Sequence, residues 1–426
     1  MKQIIDDEWD QTEERVKAHY SSLSLHRKCP QAWYYRYDMG LSRPLTTPAP
    51  ELHFGSWFGA LRAAEAVERG RKLGSLLGSP NKFSATDRSQ KFDAATVTPQ
   101  DIFDAAAAWW DLRTLEERAD WDDRLGEALP ARQLGAYERW HDEWGDAIRK
   151  ERPLGVELFW KRELPRPKGD AEWDALAKER PLPKMYLLGY IDELYEDTDR
   201  GIVVVRDVKT SKQLATQSAA DDMMDSQLQL YAWGISPKLQ EWGAPPVRGV
   251  AYDRVKSVKP TAPKLTLAGK LSAASTMFDE RTYREFAAGP DGKGIIWGVE
   301  NEHFASGPRK GEPKWGTYEI DQAVLDRITS IPHRSAFHQR TLVPLNANIV
   351  RAHLRAAVDS ATDIWRTQKR AEITGEAARN MGKTNCQWCD YQSICRAQMI
   401  GGADGTYELA EHNLTQRDGL LAIGGQ

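Results

Sequence analysis

The residues of this 426-residue chain best suited to chemistry are Asp192, Asp207 and Lys209. Asp207-Val208-Lys209 closes the run Ile202-Val203-Val204-Val205, whose β-branched residues favour a strand. A strand has period two, so Asp207 and Lys209 project from one face. Asp192 ends another apolar run, Leu187-Leu188-Gly189-Tyr190-Ile191, and the polar residues 196–201 in between read as a turn. If the two strands pair, two carboxylates and an ammonium converge at a sheet edge. Such a set is costly to assemble unless something binds there. Two acids suit a hard divalent cation, which prefers oxygen ligands. The lysine suits a polarised water or developing charge on phosphate. The bland alternative is a surface hairpin with a solvated ion pair, and the hairpin alone does not choose between the two.

With 62 acidic residues, chance copies of acid-x-Lys are expected; Asp291-Gly292-Lys293 and Glu312-Pro313-Lys314 are such copies. Both lie in Gly/Pro-rich loops and receive no role. Gly382-Lys383-Thr384 suggests a phosphate-binding loop but fails: position 377 is Ala where glycine is required, and no strand precedes it. No nucleotide-hydrolysing motor is expected. Gln227 and Tyr231 are four apart on an expected helix and share a face. Of the four cysteines, Cys386, Cys389 and Cys395 follow Cys-x2-Cys-x5-Cys, the spacing of a metal site rather than of buried unliganded thiols. Cys29 lies near the other end. Four thiolates suit zinc or an iron–sulfur cluster.

Elements must hold these groups in place. Residues 1–20 are charged and read as helical. Ser22-Leu23-Ser24 offers capping hydroxyls for a helix through Trp33-Tyr34-Tyr35-Arg36-Tyr37, with Cys29-Pro30 inside it. A helix is expected from Phe54-Gly55 to about Arg69, then a polar stretch at 70–100. Phe103, Ala107 and Trp110, and then Leu134, Tyr137, Trp140 and Trp144, recur at mostly helical spacing and predict helices near 101–119 and 127–149. Val156-Glu157-Leu158-Phe159-Trp160 reads as a strand. A Pro/Lys-rich loop at 165–184, the hairpin, a helix over 221–234 and a strand over 247–255 follow. Residues 256–340 show one amphipathic piece and no assignable role. Ile349, Val350, Leu354, Val358, Ala361, Ile364 and Trp365 form a helical stripe before the cysteines. The Gly-rich tail from Gly401 reads as loose.

Hydrophobic content of 41% and charged content of 28% describe a globular protein. No apolar run approaches the ~20 residues of a membrane span, and the start lacks a signal-peptide apolar segment. The expectation is a cytoplasmic protein with no membrane partner. A net charge of −4 does not advertise nucleic-acid binding but leaves room for a local basic groove. The 16 tryptophans read mostly as packing, with a few left to stack on bases.

The order of these pieces resembles the core of the PD-(D/E)xK nuclease superfamily: helix 55–69, strand with Glu157, strand with Gly-x-x-Asp192, strand with Asp207-x-Lys209, helix with Gln227-x3-Tyr231, strand 247–255. One early and three late cysteines, and the opening Ser24-Leu25-His26-Arg27-Lys28-Cys29-Pro30, are similar to the branch holding the RecB/AddB nuclease domains and the Cas4 exonucleases. The resemblance implies an α/β fold with a restriction-endonuclease-like core, a mixed central sheet flanked by helices, plus a helical insertion and a C-terminal iron–sulfur-bound segment. It divides the chain into an N-terminal helical segment (1–54), a nuclease core (55–255) with an insertion at about 70–150, an insertion of unknown role (256–345), a C-terminal helix with the cysteines (346–400) and a tail (401–426).

By the same resemblance, Asp192 and Asp207, with the Val208 carbonyl, hold Mg²⁺ or Mn²⁺. Lys209 orients or activates the attacking water. Gln227 and Tyr231 position the lysine or a DNA phosphate, and Glu157 is an auxiliary acid. Cys29, Cys386, Cys389 and Cys395 hold a [4Fe–4S] cluster that ties the chain ends. The implied activity is metal-dependent DNA exonuclease action on single-stranded or duplex ends, in recombination, repair or end processing. Recombination or CRISPR-adaptation proteins are the implied partners, and the setting is a bacterial or phage-infected cytoplasm. One departure matters. The family usually carries Gly-x3-His on the first core helix, the histidine ligating metal. Here Gly55 is followed at that spacing by Gly59, and His53 is out of register. Weakened or altered metal binding is expected, with Glu157 carrying more of the load. The alternatives are a DNA-binding scaffold of the same fold that has lost cleavage, and a zinc-stapled structural protein.

Overall fold

The computed structural model describes residues 15–42, 50–78, 82–85, 90–125, 128–166, 182–212, 219–258, 280–289, 302–313, 319–330 and 337–400, with shorter pieces between. The chain enters as strand β1, Arg15–His19, and helix α1, Tyr20–Lys28. The helix expected over 1–20 is therefore a strand from Arg15; residues 1–14 lie outside the described residues. Val16 and Ala18 are buried and Lys17 and His19 less so, the alternation of a strand with one covered face. His19, not Ser22, caps α1: its ring accepts from the Ser22 N–H at 3.3 Å, and the Ser22 hydroxyl answers as acceptor for the His19 N–H at 3.2 Å. Cys29 then leaves helical geometry (φ −162°, ψ 110°), since a residue before proline is pushed out of the α region. A new turn starts at Pro30–Trp33 and runs into a π-helical turn, Tyr34–Asp38.

Helix α2, Pro50–Leu73, begins earlier than the expected one because Pro50 suits a first turn. Helices α3, Pro99–Asp111, α4, Leu115–Leu125, and α5, Leu129–Arg149, pack beside it. Phe54, Trp57, Phe58 and Leu61 of α2 share one apolar cluster with Trp109, Trp110, Trp121 and Leu129. The inserted helices are thus part of a core.

The central elements are β2, Glu151–Glu163; β3, Lys184–Asp197; β4, Ile202–Ser211; α6, Ser226–Glu241; β5, Val247–Lys256; β6, His338–Pro344; and α7, Ala347–Thr374. The strands form a six-stranded mixed sheet in the order β1-β3-β4-β5-β6, with β2 also on β3. β1 and β3 are parallel, as are β4 and β5; the other pairs are antiparallel. The principal core lies between this sheet and α6 and α7, through Leu187, Ile191, Leu228, Ile235, Val358 and Trp365. α2 and the inserted helices cover part of the sheet through Val156, Val208 and Val255. This is the restriction-endonuclease-like layout, a mixed sheet flanked by helices.

The single helix expected over 221–234 is two. Ala219–Met224 ends before Asp225, whose extended backbone and side chain cap α6 by accepting the Gln227 N–H at 2.7 Å. Within 256–345, β6 completes the edge of the main sheet, and two helices, Glu280–Ala288 and Gln322–Thr329, pack through Tyr283, Leu325 and Ile328. Asp291-Gly292-Lys293 lies outside the described residues, as does the tail except Thr415–Gln416, which pairs with Leu41–Ser42. Among the described residues no helix is long and apolar enough to cross a membrane.

Candidate active site

One edge of β3 carries two partners in succession. β1 pairs with Lys184 to Leu188, and β4 pairs from Glu193 to Asp197. Residues 189–192 therefore face a split in the sheet. A strand in such a split has backbone groups to satisfy. Asp192 supplies one answer by reaching across: its Oδ2 accepts the Val208 N–H at 2.9 Å. The same contact holds the carboxylate beside Asp207-Val208-Lys209.

Lys209 Nζ lies 3.0 Å from Asp207 Oδ2. Gln227, at the start of α6, donates from Nε2 to Asp207 Oδ1 (3.2 Å), accepts from Lys209 Nζ (3.4 Å) and meets the Tyr231 hydroxyl (3.4 Å). The Asp225 cap matters here, because it fixes the first turn on which Gln227 stands. Val208 turns its side chain into the α2 cluster.

Glu157 reaches the site by an unusual backbone. It is the only non-glycine residue with positive φ among the described residues, at 46°. A left-handed glutamate is strained and persists where its surroundings dictate it. The consequence is visible in the packing: Val156 joins the α2 cluster whereas Leu158, two residues on, joins the main core. In a regular strand those two would share a face. Opposite it on β3, Leu158 pairs with Ile191 and Val156 with Glu193, which sets Glu157 across from Asp192.

The electrostatics follow from crowding. Burial, then the charges of Asp207 and Glu157, push the Asp192 carboxyl well up, against the Val208 N–H and Lys209. Burial also raises Asp207, opposed by Lys209. Burial and Glu193 push Glu157 up to about 7. Lys209 is raised too: burial works against its charge, but Asp207 and Asp192 outweigh it. The residues form a set of oxygen donors with too little positive charge, the donor chemistry a hard divalent cation takes. Among the described residues no three acidic, histidine or cysteine groups are yet drawn together at ion-holding separation. The ammonium of Lys209 occupies the position against Asp207 instead.

Gly59 lies on the stripe of α2 that faces the sheet. One turn before it, a β-carbon at Gly55 would meet the Thr210 hydroxyl at 2.5 Å; one turn after it, Arg62 binds Glu193 at 2.9 Å. A β-carbon at Gly59 would meet nothing within 4 Å. The position expected to carry a histidine is open space between α2 and the split. His53 is elsewhere, between the rings of Trp109 (4.7 Å) and Trp121 (5.0 Å).

The strand pattern concealed a buried ion network behind the site. Arg206 bonds Glu193 (2.8 Å) and Glu151, and Arg340 bonds Asp253 (2.6 Å) and Glu151 (3.0 Å). Arg62 joins Glu193 to Asp253, with its guanidinium over the Trp140 ring at 3.4 Å. These pairs drive Asp253 far below the usual carboxylate range, overcoming its burial. Glu193 and Arg206 adjoin Asp192 and Asp207 and form the first paired rung of β3 and β4. The available signal was Arg206 itself, a charge inside an otherwise β-branched run.

Three of the four cysteines share one packing cluster, though, among the described residues, not at ion-holding separation. Cys29, Cys389 and Cys395 pack on one cluster with Tyr35, Tyr391 and Ile394. The charges of Cys29 and Cys386, added to burial, raise the thiols of Cys389 and Cys395. All four are free of disulfides and half-buried.

The family model of the PD-(D/E)XK nuclease superfamily matches residues 19–396, from the end of β1 past the last cysteine. The chain belongs to the PD-(D/E)XK nuclease superfamily. A solved structure described as a phage related exonuclease from Haemophilus somnus 129PT is similar over 72% of this chain and 95% of that one. Its identity is 12% and its TM-score 0.20. No curated protein matches the chain.

Proposed function

We propose that the chain is a metal-dependent DNA exonuclease acting at single-stranded or duplex ends, in recombination, repair or Cas4-like end processing. The observation that carries the reading is the meeting of Asp192 and Asp207 beside Lys209 at a split in the sheet, with Glu157 across from Asp192 and burial pushing the three carboxyls up. Asp192 and Asp207 would hold Mg²⁺ or Mn²⁺, with the Val208 carbonyl as a further oxygen and Glu157 as auxiliary acid. The bound ion would supply Lewis acidity toward the phosphate and lower the pKa of the attacking water. Lys209 then orients that water beside Asp207. Gln227 fixes the Lys209 and Asp207 heads relative to each other, and Tyr231 holds Gln227. Digestion of end-labelled linear and circular DNA with each metal tests the reading. Linear substrate should shorten from its ends and the circle should persist; an untouched linear substrate at high Mn²⁺ would refute it.

The open space at Gly59 favours one second reading, a scaffold of the same fold with cleavage weakened or lost. That reading predicts DNA binding without metal-dependent shortening.

Cys29, Cys386, Cys389 and Cys395 would hold a [4Fe–4S] cluster. What supports the reading is the donor type, four half-buried free thiols from both ends of the chain, and a bound metal would relieve the repulsion among their thiolates. Anaerobic purification with iron analysis and absorbance near 400 nm tests it; stoichiometric zinc without iron would support the structural alternative. Recombination or CRISPR-adaptation proteins are the proposed partners, in a bacterial or phage-infected cytoplasm.

A further inference from the structure

Beyond Trp160, β2 ends beside a shallow cavity, open to the surface, of about 410 Å³ lined in part by Arg162, Glu163, Arg166, Trp233 and Leu354. Three features give it a chemical character. The Arg162 guanidinium lies over the Trp233 indole, 4.0 Å from the ring centroid, and donates to the Trp233 carbonyl at 2.5 Å. This pair is a flat, cationic platform held by a second bond, suited to an aromatic ring carrying negative charge nearby. Arg166 is exposed, and among the described residues no hydrogen bond or ion pair engages it. Glu163, between the two arginines in the chain, brings an acceptor to the same lining.

The cavity is joined to the catalytic groups by rigid elements. Arg162 is two residues from Trp160 and shares its strand face. Trp160 meets Tyr231 edge-on at 5.4 Å, and Tyr231 bonds Gln227. α6 carries both Tyr231 and, about half a turn on, Trp233. Trp160 fills the space that β-carbons at Gly189 and Gly234 would need, so β2, β3 and α6 are locked together here. Along β2, Arg162 lies five residues from Glu157, about 17 Å.

We propose that this cavity binds one nucleotide of a single DNA strand, a few nucleotides from the scissile bond. The base stacks at the Arg162–Trp233 pair, an exocyclic amino group donates to Glu163, and Arg166 takes a phosphate. Sequence-tolerant strand binding is built from such stacking platforms and basic side chains. A base with an exocyclic amino group, such as adenine or cytosine, is preferred to thymine, which has no amino group and offers Glu163 only its ring N3–H.

The inference rests on the nuclease reading, and binding without metal separates the two. The probes are fluorescein-labelled oligodeoxyadenylate and oligothymidylate in EDTA, followed by anisotropy. Trp233→Ala should weaken oligodeoxyadenylate binding about 5- to 150-fold, the loss of one stacked base, and Trp233→Phe should recover most of it. Arg166→Ala, at an exposed position that leaves packing alone, should make the salt dependence shallower by about 0.7, one phosphate. Glu163→Gln should narrow the gap between adenylate and thymidylate. If the parent binds or shortens DNA and Trp233→Ala and Arg166→Ala bind as tightly with the same salt slope, the nucleotide site is overturned while the nuclease reading stands. If the parent neither binds these strands nor shortens DNA with Mn²⁺, both are overturned.

Discussion

At the scale of single residues, the acids and the lysine were legible because their relation is local. Asp207 and Lys209 need only a strand's period two, and Gln227 and Tyr231 only a helical turn. Glu157 was nameable but not placeable, since nothing in its neighbours announces a φ of 46°. Two expectations belong here. Asp207→Asn removes an acid from a site whose metal supplies several kcal/mol, so cleavage should fall about a thousand-fold or more. Removing one of three crowded carboxylates also relieves repulsion, so the metal-free variant should melt about 2 °C higher near pH 8. A variant that cleaves like its parent places the chemistry elsewhere. The second concerns Gly59. A β-carbon there enters open space, and replacing an interior helical glycine gains up to ~1 kcal/mol. Gly59→His should therefore fold at least as well and add an imidazole facing the split. Calorimetric titration with Mn²⁺ should show tighter binding than the parent, with faster cleavage. Unchanged affinity and rate would mean that position 59 does not face the metal.

At the scale of elements, the sequence pattern found most helices and strands but misjudged where they break. Asp225 interrupts one expected helix and Cys29-Pro30 another, each by a local backbone preference that competes with apolar periodicity. The ion network was hidden for a different reason: Glu151, Glu193, Arg206, Asp253 and Arg340 come from five strands, and their pairing exists only once the sheet forms. Arg206→Met should leave Glu193 and Glu151 short of a partner in a desolvated site and cost ~3–5 kcal/mol. Thermal melting checks it, and Arg206→Lys should recover part of the loss. The network also carries a pH signature. Burial raises Glu65 to about 7, against the pull of Arg62 and Arg69. Its folded pKa exceeds the unfolded one, so its contribution to stability is present below about 4.5 and is lost as pH rises through 7. Glu65→Gln should make the drop in melting temperature between pH 5 and pH 8 smaller than in the parent. An equal drop in both would show that Glu65 titrates normally.

At the scale of the whole molecule, the least legible features join residues far apart in sequence. No periodicity shows that His338–Pro344 would close the edge of a sheet begun at Arg15–His19, because strand partners are chosen by the assembled core. The meeting of the two ends is the strongest instance. The Gln31 N–H donates to the Ala378 carbonyl at 2.9 Å and the Gln31 side chain accepts from Ala377 at 2.7 Å. Asn380 donates to the Lys28 carbonyl at 3.0 Å, and the Tyr391 hydroxyl to the Leu41 carbonyl at 2.9 Å. Such bonds net only ~1 kcal/mol each, yet they close a loop spanning nearly the whole chain. Closing a loop of that length is entropically expensive, so a metal held by cysteines from both ends would add most where the hydrogen bonds alone are marginal. The sheet, by contrast, has its own core and does not need the seam. Cys29→Ala should therefore lose bound metal and expose residues 377–400 to limited proteolysis, while the fragment ending near Thr374 keeps a cooperative melt. If the variant retains full metal content and its C-terminal segment resists the protease as the parent's does, Cys29 is not a ligand and the hydrogen bonds alone hold the ends together.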